Sequence, residues 1–171
     1  RPFYQSATNL SMDPIGRGVY ARCARGLFAR YGKTVTEDCV HKAYDVFEGI
    51  TAYVQRIMHD VFTETVTGGT ADVDLVDNMI DRFIEESSRR IREQLSVITE
   101  QQKELLYAIH SEGIAKGLTA SAFVKRHRLK SASSVQSATK QLLEMDLITK
   151  EGNEYTLSDP LLKLWLTREI Q

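Results

Sequence analysis

The stretch "LKSASSVQSATKQLLEMDLITKEGNEYTL", residues 129 to 157, restricts this chain more than any other because it dictates an order of elements. Ser131 stands where a helix N-cap belongs, and Val135, Ala138, Leu142 and Leu143 follow at the spacing of one buried helical face. Leu147 to Lys150 then reads as a strand, Gly152-Asn153 as a tight turn, and Tyr155 to Leu157 as the returning strand. Upstream, Thr99 and Gln102 form a capping-box pair ahead of Leu105, Leu106 and Ile109, with Gly113 as the stop. Thr119 reads as the cap of a short helix holding Phe123 and Val124. Helix, helix, helix and hairpin is the winged-helix order. Asp159-Pro160 opens a last helix bearing Leu161, Leu164 and Trp165, since Pro fits the first helical turn.

The N-terminal half is helical as well. Val19, Cys23 and Leu27, with Ala24 and Phe28, recur at i, i+4 and predict a helix from Gly16 to about Tyr31. Thr36, followed by Glu37 and Asp38, caps a second helix with Val40, Ala43, Tyr44 and Phe47 on its apolar face. A third runs from Thr51 to Thr65 with Tyr53, Ile57, Val61 and Phe62 inward. "TETVTGGTADVD" reads as a break without periodicity, after which Asp72 caps a long helix through Val73, Val76, Ile80, Phe83, Ile84, Ile91 and Leu95. Residues 1 to 15, with two prolines, read as an extended tail with one strand rather than a helix, and a chain opening on Arg1 is expected to be a fragment. The expected fold is therefore mainly α, a helical bundle followed by a winged helix-turn-helix domain with a small β-hairpin. Its expected divisions are residues 1–15, 16–66, 67–98 (loop and long connecting helix) and 99–171.

Charge separates the two halves. Residues 60 to 104 hold eleven acids against five bases, a balance of −6, whereas residues 116 to 150 hold seven bases against two acids, a balance of +5. With 42% hydrophobic residues, no long apolar run and no signal-peptide pattern, neither a membrane span nor a secretory leader is read. Cys23 and Cys39 lack the spacing of a zinc site and are expected to be free thiols in a reducing cytoplasm.

No G-x-x-x-x-G-K-[ST] loop occurs, so these residues alone are not expected to hydrolyse ATP. Cys39 and His41 lack a third orienting group, and His59, Asp60 and Glu64 make a solvated helix face more readily than a metal site. No catalytic residue and no metal ligand is assigned. The surface to watch is that of the helix opened by Ser131. Its non-core positions Ser133, Ser134, Gln136, Ser137 and Lys140 lie where a recognition helix meets a partner or nucleic acid. Lys125, Arg126, Arg128 and Lys130 precede it and Lys150 begins the wing, where phosphates of a duplex would run. The helix carries no Arg, the commonest base reader, which leaves protein docking as the other reading.

The tail "RPFYQSATNLSMDPI", the stretch "FEGITAYVQRIMHDVF" and the closing "LTASAFVKRHRLKSASSVQSATKQLLEMDLITKEGNEYTLSDPLLKLWL" resemble the C-terminal part of the archaeal-type ATPases of the AAA+ and signal-transduction (STAND) NTPase group, which also occur in bacteria. In that family a P-loop core is followed by a helical lid, often with an "EGHPYYVQ"-like stretch, and a winged helix. Glu48, Gly49, Tyr53, Val54 and Gln55 match that stretch, while Ile50, Thr51 and Ala52 depart from it, and no Arg adjoins Gly49 as a phosphate sensor. The resemblance implies that residues 1–15 are the end of a truncated nucleotide-binding core and 16–66 a helical lid bundle, and that Tyr53, Gln55 and Arg1 lie near a nucleotide, with ATP and Mg in the full-length protein and no cofactor bound by these residues alone. It also implies the protein's own ATPase core as a partner, besides DNA or a protein at the winged helix. The alternative is a stand-alone winged-helix transcriptional regulator that reads DNA.

Overall fold

The computed structural model describes residues 15 to 170, which are mainly helical and fall into two compact units dividing after Ile80. The first unit contains α1 (Arg17–Arg30), β1 (Thr34–Val35), α2 (Glu37–Val46), α3 (Thr51–Glu64), β2 (Thr70–Ala71) and the first turns of α4 (Val73–Ser96). Thr36 caps α2 by accepting the Cys39 amide at 3.2 Å, and Asp72 begins α4 by accepting the Leu75 amide at 3.1 Å. Phe28, Val40, Phe47, Val54, Ile57, Val61 and Val76 form the core between these helices. Each such side chain contributes on the order of 1.5–3 kcal/mol on leaving water.

Two features here go beyond the sequence pattern. The recurrence that marks α1 mixes two faces: Val19 is 48% and Leu27 53% exposed, and Cys23 is exposed. Ala24 and Phe28 of the same pattern are buried, together with Ala21. Both sets recur at helical spacing, but the two alanines let the α1 backbone approach its neighbours closely, which the bulkier set would prevent. The second is the expected break after Glu64, which contains a short strand. Thr70 and Ala71 pair in parallel with Thr34 and Val35, and Val35 and Ala71 are buried. Strands of two residues are too short to show alternation in a sequence. The expected extended segment at residues 1 to 15 lies outside the described residues apart from Ile15.

The second unit holds the rest of α4, then α5 (Glu100–Glu112), β3 (Ala115–Lys116), α6 (Ser121–Arg126), α7 (Ala132–Glu144), β4 (Ile148–Glu151), β5 (Glu154–Leu157) and α8 (Pro160–Glu169). The strands form an antiparallel sheet in the order β3-β5-β4, with Ala115 opposite Tyr155 and Ile148 opposite Leu157. β3 was not visible in the sequence, again for its brevity. Thr99 and Gln102 form the expected capping box, and Asp159 caps α8 by accepting the Leu161 amide at 2.9 Å. Thr119 does not cap α6; Ala120 holds that position and makes no side-chain cap bond. Leu105, Leu106, Ile109, Leu142, Leu147, Leu161 and Leu166 fill the core. Inside it the Trp165 indole N–H donates to the Ser88 hydroxyl at 3.0 Å, which leaves no buried polar atom of that pair unmatched. Arg168 pairs with Asp81 at the rim.

Candidate functional site

The N-terminal end of α7 is built by a reciprocal cap. Ser131 Oγ accepts the Ser134 amide at 3.1 Å, Ser134 Oγ accepts the Ser131 amide at 3.1 Å, and the Ser131 and Ser133 hydroxyls lie 3.0 Å apart. This cap orders the helix start, and it engages Ser134, half-buried, in holding the backbone rather than in presenting a free hydroxyl. With Val135, Ala138 and Leu142 turned into the core, Ser133, Gln136, Ser137 and Lys140 are left on the open face.

The cations around this face differ in what they meet. Arg126 is paired with Glu112 at 2.6 Å, and His127 Nε2 lies 2.8 Å from the same carboxylate. Those two partners, Arg126 first, hold the Glu112 carboxyl below its ordinary range. Lys140 lies 3.8 Å from Glu144, Lys116 lies 2.6 Å from Glu154, and Lys150 sits 5.5 Å over the Tyr155 ring. By contrast Lys125, Arg128 and Lys130 are exposed and have no carboxylate partner among the described residues. They cluster where α6 ends. Arg128 adopts a left-handed φ of 54° that reverses the chain, while the Leu129 amide donates to the Val124 carbonyl at 2.9 Å and buries its side chain to anchor the turn.

Beside α7 runs a groove of about 840 Å³. Gln136, Thr139 and Lys140 form one wall, with Thr119, Asn153 and Tyr155 across from them, and no carboxylate lines it. Thr119, Asn153 and Tyr155 were not singled out from the sequence as surface groups. Thr119 carried a capping role there, and the other two were read only as turn and strand.

In the first unit, the residues that resemble the lid stretch lie at the α2–α3 junction. Glu48 and Gly49 both take left-handed φ values, 53° and 71°, and a Cβ at Gly49 would stand 2.7 Å from the Tyr44 hydroxyl oxygen. That hydroxyl donates to the Ile15 carbonyl at 2.7 Å. Tyr53 is half-buried with its ring 5.3 Å from Phe47, so it supports the junction, whereas Gln55 is exposed and lines a groove of about 460 Å³ between α1 and α3. Arg56 is turned along its own helix to Asp60 at 3.0 Å. Arg1 lies outside the described residues.

The remaining chemistry is quiet. Burial, with Asp72 and Asp77 nearby, pushes the Cys39 thiol up to about 12, far from the range in which a thiolate nucleophile forms. Among the described residues no three of His, Cys, Asp and Glu gather as a metal-binding group, and no helix is long and apolar enough to cross a membrane.

Comparison with known proteins agrees with this geometry at the level of fold. Residues 90–168 match a family described as "Probable winged helix domain". Among solved structures, the chain is similar to a Walker-type ATPase of Pyrococcus abyssi, with a TM-score of 0.67 and 15% sequence identity over 90% of this chain. The match spans 42% of the length of that ATPase chain. No curated protein sequence matches the chain. The second unit is thus a winged-helix module, and the described residues as a whole share a fold with part of an ATPase.

Proposed function

We propose that this chain is the C-terminal lid and winged-helix effector module of an ATP-binding switch protein of the AAA+ and STAND kind, coupling nucleotide state to the binding of a partner or nucleic acid. The observation that carries this reading is the likeness, over 90% of the chain, to part of a structure described as a Walker-type ATPase. The left-handed Glu48-Gly49 junction supports it, because it leads directly into α3, on which Gln55 lines a groove.

On this reading ATP and Mg are held chiefly by a core outside these residues, and this segment performs no catalysis by itself. Gln55 fits the base or ribose edge of a nucleotide, since its neutral amide both donates and accepts, while Tyr53 packs against Phe47 at the base of the same helix. Neither suits a triphosphate, and Arg56 is committed to Asp60. A lid shifts with nucleotide only if it makes different contacts in two states, and Gln55 is the residue here to which that difference is assigned.

The natural gene product is expected to carry a G-x-x-x-x-G-K-[ST] sequence ahead of Arg1 and to bind a fluorescent ATP analogue. Gln55→Ala should weaken that binding by about 2- to 10-fold, the worth of one hydrogen bond. A gene product with no such motif and no nucleotide binding would sink the reading.

A second reading, DNA binding by the winged helix, is favoured by the cluster Lys125, Arg128 and Lys130 beside the start of α7. It predicts weak duplex retention that falls with salt and is lost in the Lys125→Ala, Arg128→Ala double variant. Two phosphate contacts correspond to a loss of roughly 1.8 in the log–log salt slope. Unchanged retention, or none at low salt, leaves protein docking as the role of this face.

A further inference from the structure

We propose that the face formed by α1 and α3 is a docking site for a partner protein presenting an amphipathic helix, apolar along its ridge and carboxylate-bearing along its flank. The inference goes beyond the nucleotide reading and does not rest on it: Gln55 lines one side of the same groove, but the apolar and cationic groups used here are others.

The apolar pattern of α1 is written twice. Ala21, Ala24 and Phe28 serve the interior, so the second stripe, Val19, Cys23, Leu27 and Tyr31 at steps of four, remains in solvent with Tyr31 65% exposed. Four apolar residues on one open face of a helix is the pattern of a surface that is covered in use. α3 extends the stripe with Met58 and Phe62, closing a groove of about 460 Å³ whose lining contains no Asp or Glu. Its wall is held in place: Tyr31 and Phe28 meet the Phe62 ring edge-on at 5.4 and 5.1 Å. Lys33 lies 4.0 Å over the same ring and donates to the Phe62 carbonyl at 2.7 Å.

Charge selects the occupant. α1 carries four arginines and no acid. Arg17 and Arg25 are paired with Asp45 and Glu37, but Arg22 and Arg30 have no carboxylate partner among the described residues. They stand three positions beyond Val19 and Leu27, hence beside the stripe. Helix-in-groove recognition uses apolar anchors at i, i+3, i+4 and i+7, which the groove can receive. Two free guanidinium groups next to it then favour carboxylates on the flank of that helix and reject a basic one.

The test uses the chain of residues 1 to 171 and two fluorescent synthetic helices of about 18 residues with the same Leu ridge, one flanked by Glu and one by Lys. Anisotropy should show the Glu peptide binding about tenfold or more tightly than the Lys peptide, a difference of roughly 1.4 kcal/mol. Arg22→Glu with Arg30→Glu should invert the preference. Leu27→Ser, at a site already half in solvent, should weaken the Glu peptide by about tenfold with an unchanged circular dichroism spectrum. Equal binding of the two peptides, no binding, or binding indifferent to Leu27→Ser overturns the proposal. So does self-association abolished by Leu27→Ser, which would make a second copy the occupant. Sedimentation with phosphatidylserine vesicles in the absence of peptide binding also overturns it, the face then being a lipid surface.

Discussion

Cys23 and Cys39 show how one residue type takes opposite characters from its surroundings. Cys39 is buried among α2 and its neighbours with carboxylates close by, while Cys23 lies on the open face of α1. A thiol-disulfide reagent at mildly alkaline pH should therefore titrate one thiol quickly in the native protein and the second only after denaturation; two fast thiols would contradict the burial of Cys39. His110 gives a pH signature of the second unit. Burial first, and the Lys163 cation second, hold its imidazole below the ordinary value of 6.5. The unfolded chain thus takes up a proton that the folded chain resists, so stability is full above that value and falls as the solution is acidified through the lowered one. Denaturant midpoints measured from about pH 7.5 to about pH 5.5 should fall, and His110→Gln should flatten that part of the curve. A wild-type midpoint that rises on acidification, or a slope untouched by the substitution, would contradict this assignment. The sequence already favours a core thiol at Cys39, which is buried, whereas the surroundings of His110 are not legible there because they depend on which distant residues close over the ring.

The elements were read with uneven success, and the reasons are physical. Caps made by a side chain two or three residues from its partner amide are local, so Thr36, Thr99, Ser131 and Asp159 announced their helices directly. The α7 cap is the element on which the winged-helix surface depends. Ser131→Ala should cost about 1 kcal/mol and lower the denaturant midpoint of the second unit, and Ser131→Asp should restore much of it. A neutral Ser131→Ala would mean that tertiary packing alone sets the start of this helix. The buried face of α1 could not be chosen from the sequence for the opposite reason. Two apolar stripes share that helix, and choosing between them requires knowing that α1 approaches its neighbours through Ala21 and Ala24. The same limit hid β1, β2 and β3, whose pairing partners lie far along the chain and whose two residues carry no pattern.

At the scale of the molecule, the order of helices and hairpin was enough to identify the winged-helix unit, and the match of residues 90–168 to that family agrees with it. The candidate site was legible in composition but not in state. Sequence alone marked Arg126 and Lys140 as exposed cations of the same kind as Lys125 and Arg128, whereas folding brings Glu112 against Arg126 from α5 and leaves Lys125, Arg128 and Lys130 without carboxylate partners. The central claim is that the first unit is the lid of a nucleotide switch. It is tested most directly by backbone hydrogen exchange on the natural gene product with and without Mg-ATP. The claim predicts slower exchange at residues 48 to 59, spanning the Glu48-Gly49 junction and the first turns of α3, when nucleotide is present. Saturating Mg-ATP that leaves those amides unchanged, or a gene product that binds no nucleotide, would contradict it.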